Sequence, residues 1–162
     1  MPGFTVRIAK AKDLKAISSF ATPIVKEMKF YNREHMARNL YEVSLKDLKE
    51  TIKNYKDSIV IAVAKDGRII GMCMHFFGFG HVDWLDWRLV SRDFRRNGVG
   101  RAMLKFQIQQ ARRHNCHKMW ADCHPKNRPI IRFFRANGFR KVGVLRKDTF
   151  KQDRMLWEKI IA

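Results

Sequence analysis

The sequence predicts a mixed α/β fold, one sheet with helices on its faces. Three observations carry this. Short β-branched and aromatic runs at 58–64, 69–77 and 82–90 are split by Asp66-Gly67 and by glycines at 78 and 80. Segments 13–39, 44–55 and 98–114 repeat apolar residues at helical spacing. After residue 90 the two kinds of segment alternate, as in chains that lay helices on a sheet.

In chain order, Phe4 to Ala9 alternates apolar and polar residues, as a half-buried strand does. From Asp13 to about Asn39, Leu14, Ile17, Phe20, Ile24, Val25 and Met28 recur at helical spacing, and Pro23 either separates two helical pieces or sits in a first turn. Ser44 to Tyr55 is a further helix, and Ser44 with Asp47 resembles a capping box. Ser58 to Ala64 and Ile69 to Phe77 form a hairpin across Asp66-Gly67, and Val82 to Val90 follows as a third strand. Gly98 to His114 is a helix with Val99, Ala102, Met103, Phe106 and Ile108 on its buried side. Lys118 to Cys123 is a short strand. Pro129 to Ala136 is a helix ended by Asn137-Gly138. Phe139 to Leu145 and Arg154 to Ile161 close the chain as strands. The order is strand, two helical regions, three strands, helix, strand, helix, two strands.

No composition shift divides residues 1–162, so they are expected to form one domain. An apolar fraction of 46% excludes a disordered chain. No apolar run is long enough to span a membrane, and Met1 to Arg7 lacks the pattern of a secretory leader. Cys73, Cys116 and Cys123 form no CxxC pair and read as buried thiols of a cytoplasmic protein. The charge is lopsided. The 162 residues carry 34 basic and 15 acidic side chains, a net +19. Residues 92–154 hold 18 basic against 4 acidic, whereas 1–91 hold 15 against 10. Such a field concentrates anions: cofactor phosphates, nucleic acid or an acidic partner.

The most informative stretch runs from Leu89 to Leu104. A strand ends at Val90, a basic loop with glycines at 98 and 100 follows, and a helix begins. The loop aims backbone amides at one spot, and the helix N-terminus adds positive potential. That is an anion cradle suited to a pyrophosphate. A Walker loop is absent, and the dinucleotide fingerprint needs a third glycine.

Arg95-x-x-Gly98-x-Gly100 resembles the [RQ]-x-x-G-x-[GA] signature of the GNAT acetyltransferase superfamily. Asn127-x(6)-Phe134-x(3)-Gly138-Phe139 resembles a second family segment, N-x(6)-Y-x(3)-G-F, and the order of elements is similar throughout. The resemblance implies a central mixed, mostly antiparallel sheet of about seven strands, flanked by about four helices. It implies acetyl-CoA as co-substrate and direct transfer to a primary amine: a protein N-terminus, a lysine or a small amine. It implies that the strand before the loop splays from its neighbour and holds the pantetheine arm on Arg88, Leu89 and Val90, with the Val90 N–H polarising the thioester carbonyl. Arg95, Arg96, Asn97, Gly98, Val99, Gly100 and Arg101 would hold the pyrophosphate, and Asn127 the cofactor arm. Asp122 stands where related enzymes place a glutamate base, and strand alternation puts it on one face with His124. Asp83 and Asp86 are rivals for that role. Phe134 departs from the family's tyrosine, which is taken to protonate the departing thiolate. Three readings stay open: protonation by water, another acid, or a module that binds CoA or nucleic acid without turnover.

His114, Cys116, His117, Cys123 and His124 cluster in sequence, but their spacing matches no zinc pattern, so no metal is assigned. Trp84 and Trp120 read as core, and Trp87 as core or cleft. Phe30, Tyr31 and His35 are candidate acceptor contacts. The basic residues exceed the about four negative charges of CoA, so they form either a solvated face or a surface for nucleic acid or ribosome proximity, for which no recognised motif is present, and a homodimer is compatible. A basic protein favours a neutral or acidic acceptor unless its aspartates make an acidic pocket.

Overall fold

The computed structural model describes residues 3–162; Met1 and Pro2, where the reading of a missing leader begins, lie outside them. Twelve main elements follow one another: β1 (Phe4–Ile8), α1 (Leu14–Lys26), α2 (Arg33–Glu42), α3 (Leu45–Asn54), β2 (Ile59–Ala64), β3 (Ile69–Gly78), β4 (Val82–Val90), α4 (Val99–Arg113), β5 (Lys118–Cys123), α5 (Arg128–Ala136), β6 (Arg140–Leu145) and β7 (Arg154–Ile160). All seven strands lie in one sheet of order β1-β2-β3-β4-β5-β7-β6. Only the β4–β5 pair is parallel. The expected mixed, mostly antiparallel sheet is what forms.

Five helices flank it, one more than expected. Pro23 does not break the first helical region: it stands inside α1. Ala21 and Val25 on either side of it are fully buried, and packing of that apolar stripe outweighs the missing N–H. The break falls at 27–32, where Asn32 caps α2 by accepting from the His35 N–H at 2.9 Å. Ser44 caps α3 by accepting from the Asp47 N–H at 3.3 Å.

Helices α1 to α3 cover one face. Leu14, Ile17, Ala21, Val25 and Leu48 meet Ile59, Ile61, Met72, Met74 and Leu89 there. Helices α4 and α5 cover the other, through Val99 and Met103 on Val60, Ile70 and Cys73, and through Leu104, Ala111 and Phe134 on Leu85, Met119 and Trp157. On α4 the buried stripe includes Leu104 and Gln107, whereas Ala102, Phe106 and Ile108 are half-buried. Trp84 and Trp120 are a further correction. They are half-buried and stack at 6.5 Å between centroids, and Trp84 lines a cavity rather than the core.

Two irregularities position the site. First, β4 pairs with β5 only from Val82↔Lys118 to Leu85↔Ala121. Beyond that point the strands part, leaving residues 88–90 paired with β3 alone. Second, the β3–β4 register passes from Cys73↔Arg88 to His75↔Leu85, so β4 carries one extra residue. A bulge of this kind shifts the side-chain alternation by one. Asp86 and Trp87 therefore both line the cavity under α1 to α3, while Asp83 points to the opposite face.

Candidate active site

The parted end of β4 exposes backbone polar groups. The Ser91 N–H donates to the Ile70 carbonyl at 2.8 Å. Amide direction alternates along a strand, so the Val90 N–H points the other way, into the notch left by β5. Its carbonyl faces the same side and accepts from Arg95 Nε at 3.2 Å. Leu89 is buried, facing α1 to α3. The Arg88 side chain turns under α4, where Nη1 donates to the Gly100 carbonyl at 3.3 Å and Nη2 to Gln107 Oε1. Gln107 in turn donates to the Met74 carbonyl at 3.3 Å. This buried tie fixes the start of α4 against β3 and β4.

The loop from Ser91 to Gly98 then delivers α4. Arg96 and Gly98 have positive φ, 65° and 80°. A Cβ on Gly98 would meet nothing within 4 Å, so the space before the helix is open. A Cβ on Gly100 would lie 3.1 Å from the Phe133 ring, so that glycine lets α5 approach α4. Val99 is buried and anchors the turn, whereas Arg95, Arg96, Asn97 and Arg101 are exposed around it. The first amides of α4 have no partner within the helix. The arrangement is an anion site with amides at its centre and guanidinium groups at its rim.

A cavity of about 420 Å³ opens where β4 and β5 part. It brings together Asp86, Arg88, Leu89, Asp122, His124, Asn127 and Phe134, with Tyr31 and His35 across from them. Asp83 is elsewhere, fully buried on the α4 face and bonded to His75 Nδ1 at 2.9 Å. Asp122 accepts from Arg154 Nη1 at 2.9 Å. Burial raises its pKa, and the Arg154 bond opposes the rise. His124 is nearly buried: its Nδ1 accepts from the Lys126 N–H at 3.1 Å, and its Nε2 lies 3.2 Å from Gln152 Nε2. Desolvation lowers its pKa, so the ring is neutral near pH 7. Asp86 has no ion-pair partner among the described residues. Its surface opens on the cavity, but surrounding protein strips much of its water, and Glu42 and Asp122 add like charge. Its carboxyl is pushed up to about 8. Burial also raises Tyr31, which keeps its proton at neutral pH. Phe134, 3% exposed, packs on Phe139 and Trp157 and forms part of the wall. Asn127 caps α5, its Oδ1 accepting from the Ile130 N–H at 3.4 Å.

The profile of the Acetyltransferase (GNAT) family matches residues 26–139. The chain belongs to the GNAT family of acetyltransferases. Among solved structures it is similar to the PaiA N-acetyltransferase of Thermoplasma acidophilum in complex with coenzyme A, with a TM-score of 0.79, 17% identity, and 97% of this chain and 98% of that one covered. It is similar to Ard1 of Thermoplasma volcanium, with a TM-score of 0.78, 16% identity and 99% of each chain covered. It is also similar to the ribosomal-protein-alanine N-acetyltransferase of Brucella melitensis, with a TM-score of 0.76, 23% identity, and 96% and 99% covered. At these identities the likeness shows a shared fold. No curated protein matches the chain by sequence.

As a GNAT acetyltransferase the chain uses acetyl-CoA as co-substrate, and its residues fit that group. The open space before Gly98 and the free amides of α4 suit a pyrophosphate. The unpaired edge of β4 offers the Val90 N–H to a carbonyl deeper in the notch. No helix in the described residues is long and apolar enough to cross a membrane, and no group of three His, Cys, Asp or Glu is placed to hold a metal.

Several site residues of this GNAT chain carry no sequence signal. Gln152 stands in a basic loop, yet its Nε2 donates to the Phe30 carbonyl at 2.9 Å and its Oε1 accepts from the Asn32 N–H at 3.0 Å. Its Oε1 also lies 3.1 Å from His35 Nδ1. It therefore ties the α1–α2 loop to the β6–β7 loop. The latter holds Lys147, Phe150 and Lys151 at positive φ (48°, 51°, 59°), a strained geometry for side-chain-bearing residues. Arg154, Asn39 and Glu42 were likewise invisible as site residues, because only the folded sheet brings them to one cavity.

Proposed function

We propose that this chain is an N-acetyltransferase that transfers the acetyl group of acetyl-CoA directly to a primary amine, with Asp86 as the general base. The observation that carries the reading is the placement of Asp86, a carboxylate with no ion-pair partner among the described residues that lines the cavity opening where β4 leaves β5, its pKa raised by burial and by the nearby Glu42 and Asp122.

Acetyl-CoA supplies an activated acyl group. The chain's residues do the rest. The amides of 98–101, with Arg95, Arg96 and Arg101 at the rim, bind the pyrophosphate; Asn127 stands beside the pantetheine arm. The Val90 N–H donates to the thioester oxygen as charge develops on it. Asp86, ionised at or above pH 8, takes the proton from the incoming ammonium. Asp122 is held by Arg154, and His124 Nδ1 accepts from the Lys126 N–H, which leaves the ring proton on Nε2, so these two line and orient the pocket. Phe134 has no hydroxyl to give, but a thiol of ordinary pKa, about 8.5, leaves acceptably with water as proton source.

The exposed basic residues of α4 and α5, among them Lys105, Arg112, Arg128, Arg132 and Arg135, support a second, weaker role in holding a polyanion near the acceptor, with steep salt dependence.

Acetyl-CoA carrying a radiolabelled acetyl group, incubated with the protein and a panel of primary amines, tests the transfer. Label moving onto an amine nitrogen with release of free CoA thiol is the expected result. Bound acetyl-CoA with no transfer to any amine would leave a binding module instead.

A further inference from the structure

A second cavity of about 310 Å³ adjoins the first and shares Arg38, Glu42, Phe76, Asp86 and Trp87 with it. Its remaining wall includes Asp47, Glu50 and Tyr55. Four carboxylates thus face one cation, and that cation is already engaged: Arg38 Nε donates to Glu42 Oε1 at 2.7 Å. Glu42 Oε2 is also occupied, accepting from Trp87 Nε1 at 3.1 Å. Asp47, Glu50 and Asp86 have no ion-pair partner among the described residues. This is unusual in a chain with 34 basic and 15 acidic side chains, where a cation is seldom far away.

A second, independent feature lies in the wall of the first cavity. Asn39, on α2 beside Arg38, is 5% exposed and lines the first cavity, and its Nδ2 has no hydrogen-bond partner. Buried amides are almost always paired, so a small shift of this side chain would bring an unsatisfied donor to a ligand atom in that cavity.

We infer that the acceptor is a dicationic amine. The nitrogen to be acetylated sits at Asp86, and a second positive group four to six bonds away enters the cavity of Asp47 and Glu50 (an estimate from the size of one lysine side chain). This rests on the reading of Asp86 as the residue that meets the amine. The rings of Phe76, Trp87 and Tyr55 give the alkyl chain an apolar wall and the second cation a π face. The net +19 of the chain is no obstacle, because the cleft concentrates carboxylates that the rest of the surface lacks. Such an acceptor has two sources, a free diamine or a peptide with a basic side chain. The Asn39 donor separates them: a peptide brings a carbonyl oxygen to it, and a diamine does not.

Calorimetry at low salt with the full chain tests this without turnover. The probes are two dications, cadaverine and lysinamide, and their monocationic counterparts, pentylamine and norleucinamide. The dications are expected to bind at least about tenfold more tightly than their counterparts. In an Asp47→Asn/Glu50→Gln variant that preference is expected to fall below about threefold. A lysinamide advantage over cadaverine that Asn39→Leu removes identifies the peptide source; no such advantage identifies the diamine. Equal binding of dications and monocations overturns the inference, as does a preference that survives the double variant. Release of CoA thiol with the same amines is followed separately. Tight dication binding without release would sink the transfer reading and leave the dication site standing.

Discussion

Asp86→Asn is expected to lower kcat for acetyl transfer by about 10²–10³-fold, with KM for acetyl-CoA moving less than about threefold. The size follows from the work asked of the residue. The acceptor arrives as an ammonium ion, which is no nucleophile, and a base of matched pKa must take its proton. A carboxyl held near 8 is far better suited than an ordinary one near 3.9. The wild-type kcat is therefore expected to rise with pH through about 8, as Asp86 loses its proton. An acceptor amine with a pKa of about 10.4 keeps its own titration clear of that limb. In the Asn variant the limb disappears, because no group remains to titrate there.

Linkage gives the variant a second signature. The folded-state pKa of Asp86 lies above its unfolded value. Its protonated form is thus favoured by folding, and the associated stability is lost as pH rises from the ordinary carboxylate range through about 8. Asn stays neutral throughout. The variant is expected to gain on wild type as pH rises from the ordinary carboxylate range to about 8, and to unfold no more easily than wild type at pH 8–9. Activity lost without stability separates a base from a merely structural residue. A variant that loses both together would argue against the assignment.

Gly98→Trp is expected to raise KM for acetyl-CoA by about 10²-fold, the second large effect. Gly98 has φ +80° and opens on free space where the pyrophosphate must come to the α4 amides. An indole there occupies the phosphate position itself. The left-handed backbone alone costs an L residue about 1–2 kcal/mol, so strain must be separated from occlusion. Gly98→Ala provides the control. It carries the same strain with almost no bulk, and is expected to lower Tm by several degrees while changing KM less than about fivefold. Equal KM for all three proteins would remove the cradle from the account.

The sheet was legible because its signals are local. Asp66-Gly67, the glycines at 78 and 80, and Asn137-Gly138 mark chain reversals that any fold must make, and their positive φ at Gly67, Gly80 and Gly138 is observed. The cradle was legible for the same reason, since Arg95 to Gly100 is one continuous loop. The base was not. The sequence favoured Asp122, with Asp83 and Asp86 as rivals, whereas the proposed base is Asp86. A one-residue bulge in β4 decides which of the two rivals faces the cavity, and no residue type announces it. Arg154 lies 32 positions from the aspartate it holds, and Gln152 lies 120 from Asn32. Pro23 misled for a different reason: its local cost is real, but the burial of Ala21 and Val25 exceeds it. The acidic cleft within a strongly basic chain also emerges only on folding. Asp47, Glu50, Glu42 and Asp86 come from α3, α2 and β4, and the dicationic acceptor proposed above takes the sequence-level alternative of a locally acidic pocket.

The claim on which the rest depends is that Asp86 holds its proton to near neutral pH in the notch of the folded chain. A carbon-13 NMR titration of aspartate carboxyl groups, with the Asp86 resonance assigned by its absence in Asp86→Asn, measures this directly. The account predicts a midpoint near 8 for that resonance. A midpoint near the ordinary carboxylate value of about 3.9 would contradict it, and the general base would have to be sought elsewhere in the cavity.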